Sequence, residues 1–190
     1  MNKRVLQIVC YLAAICFVLG LCFRLNAVCL SPQAVHQASM TRLHMGPAEK
    51  LELILENDQG DTLYISKLDD STLFVTAAER TWVFFWKHTS GGWTGALQIS
   101  GYPDGMGATA NHQQGFPLVF GITNCPGAAW VSLTVSHTNI DHPYEETLTI
   151  PVQEDGFFSQ AASITSEKEY LAPENIEVYD ENGLLIWSLC

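Results

Sequence analysis

From Asp61 to the C-terminus, apolar residues recur in short runs, mostly of period two, with turn residues between them. The runs are 61–68, 71–78, 81–87, 95–100, 116–123, 129–136, 146–152, 157–163, 176–180 and 184–188. Alternation of this kind sends successive side chains to opposite faces, and so predicts β-strands. Asp69-Asp70, Gly91-Gly92, Pro103-Asp104-Gly105, Asn124 to Gly127, Glu154-Asp155-Gly156 and Asn182-Gly183 punctuate the runs. Asn182-Gly183 is a hairpin signal, because both residues tolerate positive φ. Regular spacing of such strands predicts an antiparallel β-sandwich or open barrel, and the lack of alternating long helices disfavours a parallel α/β fold. Ser31-Pro32, a capping serine before a first-turn proline, predicts a short helix that ends at Gly46-Pro47. Glu49 to Asn57 alternates its leucines but carries good helix formers, so helix and strand both fit. Gly101 to Gly115, rich in glycine and poor in apolar residues, reads as a long loop.

The N-terminal pattern is different. Val5 to Phe23 is uncharged, with Gln7 its one strongly polar residue, and as a helix it nearly spans a ~30 Å hydrocarbon core. Lys3 and Arg4 precede it and Arg24 follows. The charge bias predicts a cytoplasmic N-terminus and an exported remainder. A cleaved signal peptide is the rival, but its apolar region is shorter and the small-x-small sites, at Gly20 to Cys22 and Ala27 to Cys29, are poor. A lipoprotein is disfavoured by the large residues before Cys16, Cys22 and Cys29. The expectation is a mainly β protein: an N-terminal transmembrane helix (residues 1–30, a signal anchor with its cytoplasmic N-terminus), then a short helix and an antiparallel β-sandwich or open-barrel-like extracytoplasmic domain (residues 31–190). Localisation at the cell membrane as a single-pass protein follows, with the membrane as partner through residues 5–23.

Charge and cysteines refine this picture. All twenty carboxylates but only six of the nine Lys and Arg residues follow Arg24, and six minus twenty gives that part a formal charge of −14. Such a charge aids solubility and excludes nucleic acid as a partner. Of the six cysteines, Cys10, Cys16 and Cys22 lie in the apolar segment. Cys125 could pair with Cys190, leaving Cys29 free, or all three could be thiols. No CxxC occurs among them, so no structural zinc site is expected.

The anchor, the Ser-Pro-started helix, residues 69–93 (DDSTLFVTAAERTWVFFWKHTSGGW), residues 116–124 (FPLVFGITN) and residues 176–188 (IEVYDENGLLIWS) together resemble small uncharacterised membrane-anchored proteins of Gram-positive bacteria. The resemblance implies an exported β domain. It carries over no catalytic residue, and the extra cysteines depart from it.

Several constellations could carry chemistry. His137, Asp141 and His142 lie within six residues and could converge on a divalent metal, although a polar turn ending at Pro143 explains them as well. Asn57 to Asp61 has oxygen side chains around Gly60, but Leu68 stands where a calcium loop needs glutamate, so a hairpin turn is expected. Ser90 or Ser100 with His88 or His112 could serve a hydrolase, yet neither serine lies in a Gly-x-Ser-x-Gly elbow. Gly105-Met106-Gly107 has no helix to follow and is no phosphate loop. In Trp82 to Trp86 both faces of the strand are apolar, which predicts a covered central strand with Trp93 nearby, and an exposed aromatic platform for a glycan or peptide as the alternative. The reading assigns no catalytic, cofactor-binding or metal residue and no cofactor. It gives a non-enzymatic binding or structural role at the cell envelope, with an envelope protein or glycan as partner, and an envelope hydrolase as the alternative; the oligomeric state is left open.

Overall fold

The computed structural model describes residues 3–25, 28–81, 84–89, 94–99, 106–164 and 169–189. Two helices precede twelve strands in this description: α1 (Lys3–Leu25) and α2 (Pro32–Arg42). The strands are β1 (Lys50–Glu56), β2 (Thr62–Asp69), β3 (Thr72–Arg80), β4 (Trp86–His88), β5 (Gly95–Gln98), β6 (Ala108–His112), β7 (Leu118–Thr123), β8 (Trp130–Thr138), β9 (Tyr144–Pro151), β10 (Phe157–Ala161), β11 (Tyr170–Tyr179) and β12 (Leu185–Leu189). They form three antiparallel sheets: β1-β2-β3-β4 with β5 also on β3, β10-β7-β6, and β12-β11-β8-β9.

The sheet centred on β7 lies between the other two. Leu118, Phe120 and Ile122 of β7 join Leu63, Ile65, Leu73 and Val75 in one core, whereas Val119 joins Val131, Leu133, Ile150 and Val178 in the other. Alternation along β7 therefore feeds both cores, and this explains why its sequence is an almost unbroken apolar run with every residue buried. Phe158 of β10 crosses under Gly121, where an added Cβ would stand 2.3 Å from the ring. Only glycine permits that approach. The far faces of β2 and β3 are covered by α2, through Val35, His36 and Ser39.

Two histidine–serine bonds dock α2. His36 Nε2 lies 2.7 Å from Ser66 Oγ, and its ring stacks on Tyr64 at 5.4 Å. Ser39 Oγ gives its one proton to the Val35 carbonyl at 2.5 Å, so His88 Nε2, 2.8 Å away, must be the donor to that oxygen. Burial lowers the His36 pKa to about 4. The neutral ring is the form the fold favours, so stability is full above the unfolded value near 6.5 and falls as pH drops toward 4, by up to about 3 kcal/mol. Denaturant titrations between pH 7 and 4 should show this loss in the native chain and a smaller one in His36→Gln; parallel curves would contradict it.

The mainly β class and the short capped helix hold: Ser31 caps α2, its side chain accepting from the Ala34 amide at 3.1 Å. The membrane expectation is corrected. Helix α1 forms over 23 residues, with its described side chains exposed, but among the described residues no helix is long and apolar enough to cross a membrane. The transmembrane helix, the signal anchor, the membrane as partner through residues 5–23, the single-pass localisation and the extracytoplasmic placement are accordingly not supported.

Three further expectations change. Glu49 to Asn57 resolves as strand β1, pairing with β2. The expected loop 101–115 contains β6, whose Ala108 and Ala110 are small because they pack beneath the crowded sheet. The aromatic run 81–87 is not a covered strand. β3 extends to Arg80 and pairs with Trp86, so the chain reverses between them, with the Thr81 amide bonded to the Phe85 carbonyl at 2.8 Å. Phe84 sits on that reversal and is 72% exposed. Trp82, Val83 and Trp93 lie outside the described residues.

Candidate functional site

The β1–β2 hairpin turn and the β6–β7 turn stand side by side. Asn57 builds the first: its Oδ1 accepts from the Gln59 and Asp61 amides at 3.0 and 2.8 Å, and its Nδ2 donates to the Gly115 carbonyl at 3.2 Å. The calcium-like segment is thus a hairpin turn whose asparagine is occupied by backbone. Both turns use glycine at positive φ, Gly60 at 83° and Gly115 at 84°.

Between these turns and the start of β11 is a cavity of about 530 Å³. Its apolar wall includes Leu55, Phe116, Pro117 and Ile164. Its charged wall is made of Glu56, Asp58, Asp61 and Glu169, and no lysine or arginine is among its described lining residues.

His112, only 6% exposed, also lines it. Its Nδ1 lies 3.2 Å from the Leu118 carbonyl, which can only accept, so Nδ1 carries the proton. Nε2 then holds a lone pair, and that atom is buried with no hydrogen-bond partner in the structure. Burial, chiefly, pushes the His112 pKa below its ordinary value, and the ring is neutral at pH 7. The cavity therefore presents a buried acceptor and several carboxylates.

Behind Glu169 is a second buried pair. Its carboxylate lies 2.5 Å from His137 Nδ1, with both side chains fully buried. Tyr144 stacks on the imidazole at 4.1 Å, and the Glu146 carboxylate lies 3.4 Å from Nε2. Glu169 thus reaches from the cavity into the interior, where an imidazole holds it.

The sequence cluster His137–Asp141–His142 does not assemble: His137 points inward from β8, whereas Asp141 and His142 are exposed on the following turn. Among the described residues, no three His, Cys, Asp or Glu side chains are placed to hold a metal ion. Ser90, Ser100 and Gly105 lie outside the described residues, and His88 instead meets Ser39. Cys125 is a buried free thiol, its Sγ 3.6 Å from the Gly107 carbonyl; its suggested partner Cys190 lies outside the described residues.

The reading from residues missed His112 as an acceptor and Glu169 altogether. A signal for the dyad does exist, since His137 continues the inward register of Val131, Leu133 and Val135. A histidine in that register needs a buried partner. Nothing local marks Glu169 as that partner, 32 residues away.

No family model, curated protein or solved structure matches this chain. With the membrane placement unsupported, the membrane-anchored envelope role is not retained.

Proposed function

We propose that this domain is a binding module whose cavity takes a small ligand carrying a protonated amine beside an apolar group. The observation that carries the reading is His112 Nε2, a buried acceptor without a partner on the wall of a cavity whose charges are carboxylates. An ammonium supplies three donors and a positive charge. One donor satisfies Nε2, and the charge is compensated by Glu169 and the carboxylates of the turn. The apolar part of the ligand lies on Leu55 and Phe116. A carboxylate or phosphate ligand would meet like charge and would leave Nε2 unsatisfied, a cost of ~1–3 kcal/mol for a buried polar group. The role proposed is binding, with no bond-making step assigned.

Butylammonium is a suitable probe, with butyrate as its charge-reversed control. Selective binding stabilises by RT ln(1 + [L]/Kd), about 1.4 kcal/mol at ten times Kd. Butylammonium is expected to raise the melting temperature saturably, and butyrate is not. His112→Phe, which keeps a flat aromatic ring but removes the acceptor, should abolish the effect. Equal stabilisation by both probes, or an unchanged response in His112→Phe, would contradict the reading.

A further inference from the structure

The C-terminus of α2 ends in an arrangement that the fold does not require. Leu43 is the cap residue; the amide of His44 bonds to the Thr41 carbonyl at 3.2 Å and that of Met45 to the Met40 carbonyl at 2.9 Å. This is the Schellman pattern, in which the first residue past the cap takes the left-handed conformation and the second folds back onto the last turn. Glycine is the ordinary occupant of the left-handed position. Here it is His44, at φ 56°, although Gly46 stands only two residues on. A strained non-glycine residue calls for a reason beyond the turn itself.

The motif returns Met45 to the turn that contains Met40. His36 is one helical turn before Met40, so His36 and Met40 share a face of α2 with the position of His44 beyond them. All four residues line one open cavity of about 820 Å³ between α2 and the β1–β2 sheet edge. The floor of that cavity has an orphan of its own: His36 Nδ1 is buried and has no hydrogen-bond partner, while Nε2 is held by Ser66 at 2.7 Å. A metal-bound imidazole ordinarily donates its other ring N–H to a fixed acceptor, and Ser66 Oγ can accept from His36 Nε2 while Nδ1 is left bare. Two thioethers and two imidazoles form a soft donor set, without charge when the histidines are neutral, and such a set favours Cu(I) over zinc, calcium or magnesium.

We propose that this end of α2 is a Cu(I) site, held by His36 Nδ1, the thioethers of Met40 and Met45, and the His44 imidazole. The site lies on the opposite face of the first sheet from the core shared with β7, and is independent of the ammonium cavity. His44 explains the strain: glycine would relax the turn but remove a ligand.

Because the chain also contains thiols, the test must report on the thioethers directly. The full chain with ¹³C-labelled methionine methyls is titrated anaerobically with Cu(I), and with Ag(I) as a redox-inert substitute. The methyl resonances of Met40 and Met45 are expected to shift together up to one equivalent, with those of Met1 and Met106 unmoved. Met40→Leu should weaken Cu(I) by about tenfold or more in competition with bicinchoninate. His44→Gly should raise the melting temperature of the metal-free chain and still lose affinity, a pairing that a merely structural histidine would not give. Metal uptake that leaves the Met40 and Met45 methyls unmoved, as it would if only thiols bound, overturns the proposal; so does an unchanged affinity in both variants.

Discussion

Phe120→Ala is expected to cost about 3–5 kcal/mol, the usual range for a buried aromatic, and so a large part of a typical 5–15 kcal/mol stability. Phe120 is fully buried in the core between the first and middle sheets, where it meets side chains from β2, β3 and β10. Truncation leaves a cavity that two facing sheets cannot close without shifting their registers. Phe84→Ala is the matched comparison. It removes the same atoms from a residue 72% exposed on the β3–β4 reversal, and surface substitutions usually stay within about 0.5 kcal/mol. Denaturant unfolding of the two variants measures both numbers. Similar losses in the two would mean that β7 is not the centre of the molecule.

That contrast shows where the sequence is informative. Phe120 stands in an apolar run bounded by turn residues, which reads as a strand, and that strand is β7, buried on both faces. The aromatic run around Phe84 has an equally apolar pattern but a different outcome. β3 continues as far as Arg80 and takes Trp86 as its partner, and this pairing converts the intervening residues into a reversal. Pairing partners are chosen by the whole sheet, so periodicity within one segment does not reveal them. The same limit applies to the site. Asn57 and Gly60 read correctly as a turn because their chemistry is local, and Ser31 read correctly as a cap for the same reason. The acceptor on His112 is created by its bond to Leu118 six residues on, and the carboxylate beside it comes from Glu169, brought there as the chain enters β11. Neither relation is encoded in a motif.

His137→Leu is the second substitution with a large expected effect. It leaves Glu169 buried without the imidazole that holds it, and removing the hydrogen-bond partner of a buried polar group costs about 1–3 kcal/mol, more where the group is charged. Adding Glu169→Leu should recover stability relative to His137→Leu alone, since an apolar pair of similar volume needs no compensation in the interior. A double variant less stable than the single would show that Glu169 is held mainly by other groups.

The most direct measurement of the central claim is the state of the His112 ring, read from its side-chain nitrogens by two-bond ¹H–¹⁵N correlation in the full chain at pH 7. A protonated Nδ1 and an unprotonated Nε2 are expected without ligand, and the Nε2 resonance should move saturably on titration with butylammonium and stay fixed with butyrate. A ring protonated at Nε2, or an Nε2 resonance indifferent to butylammonium, would contradict the account.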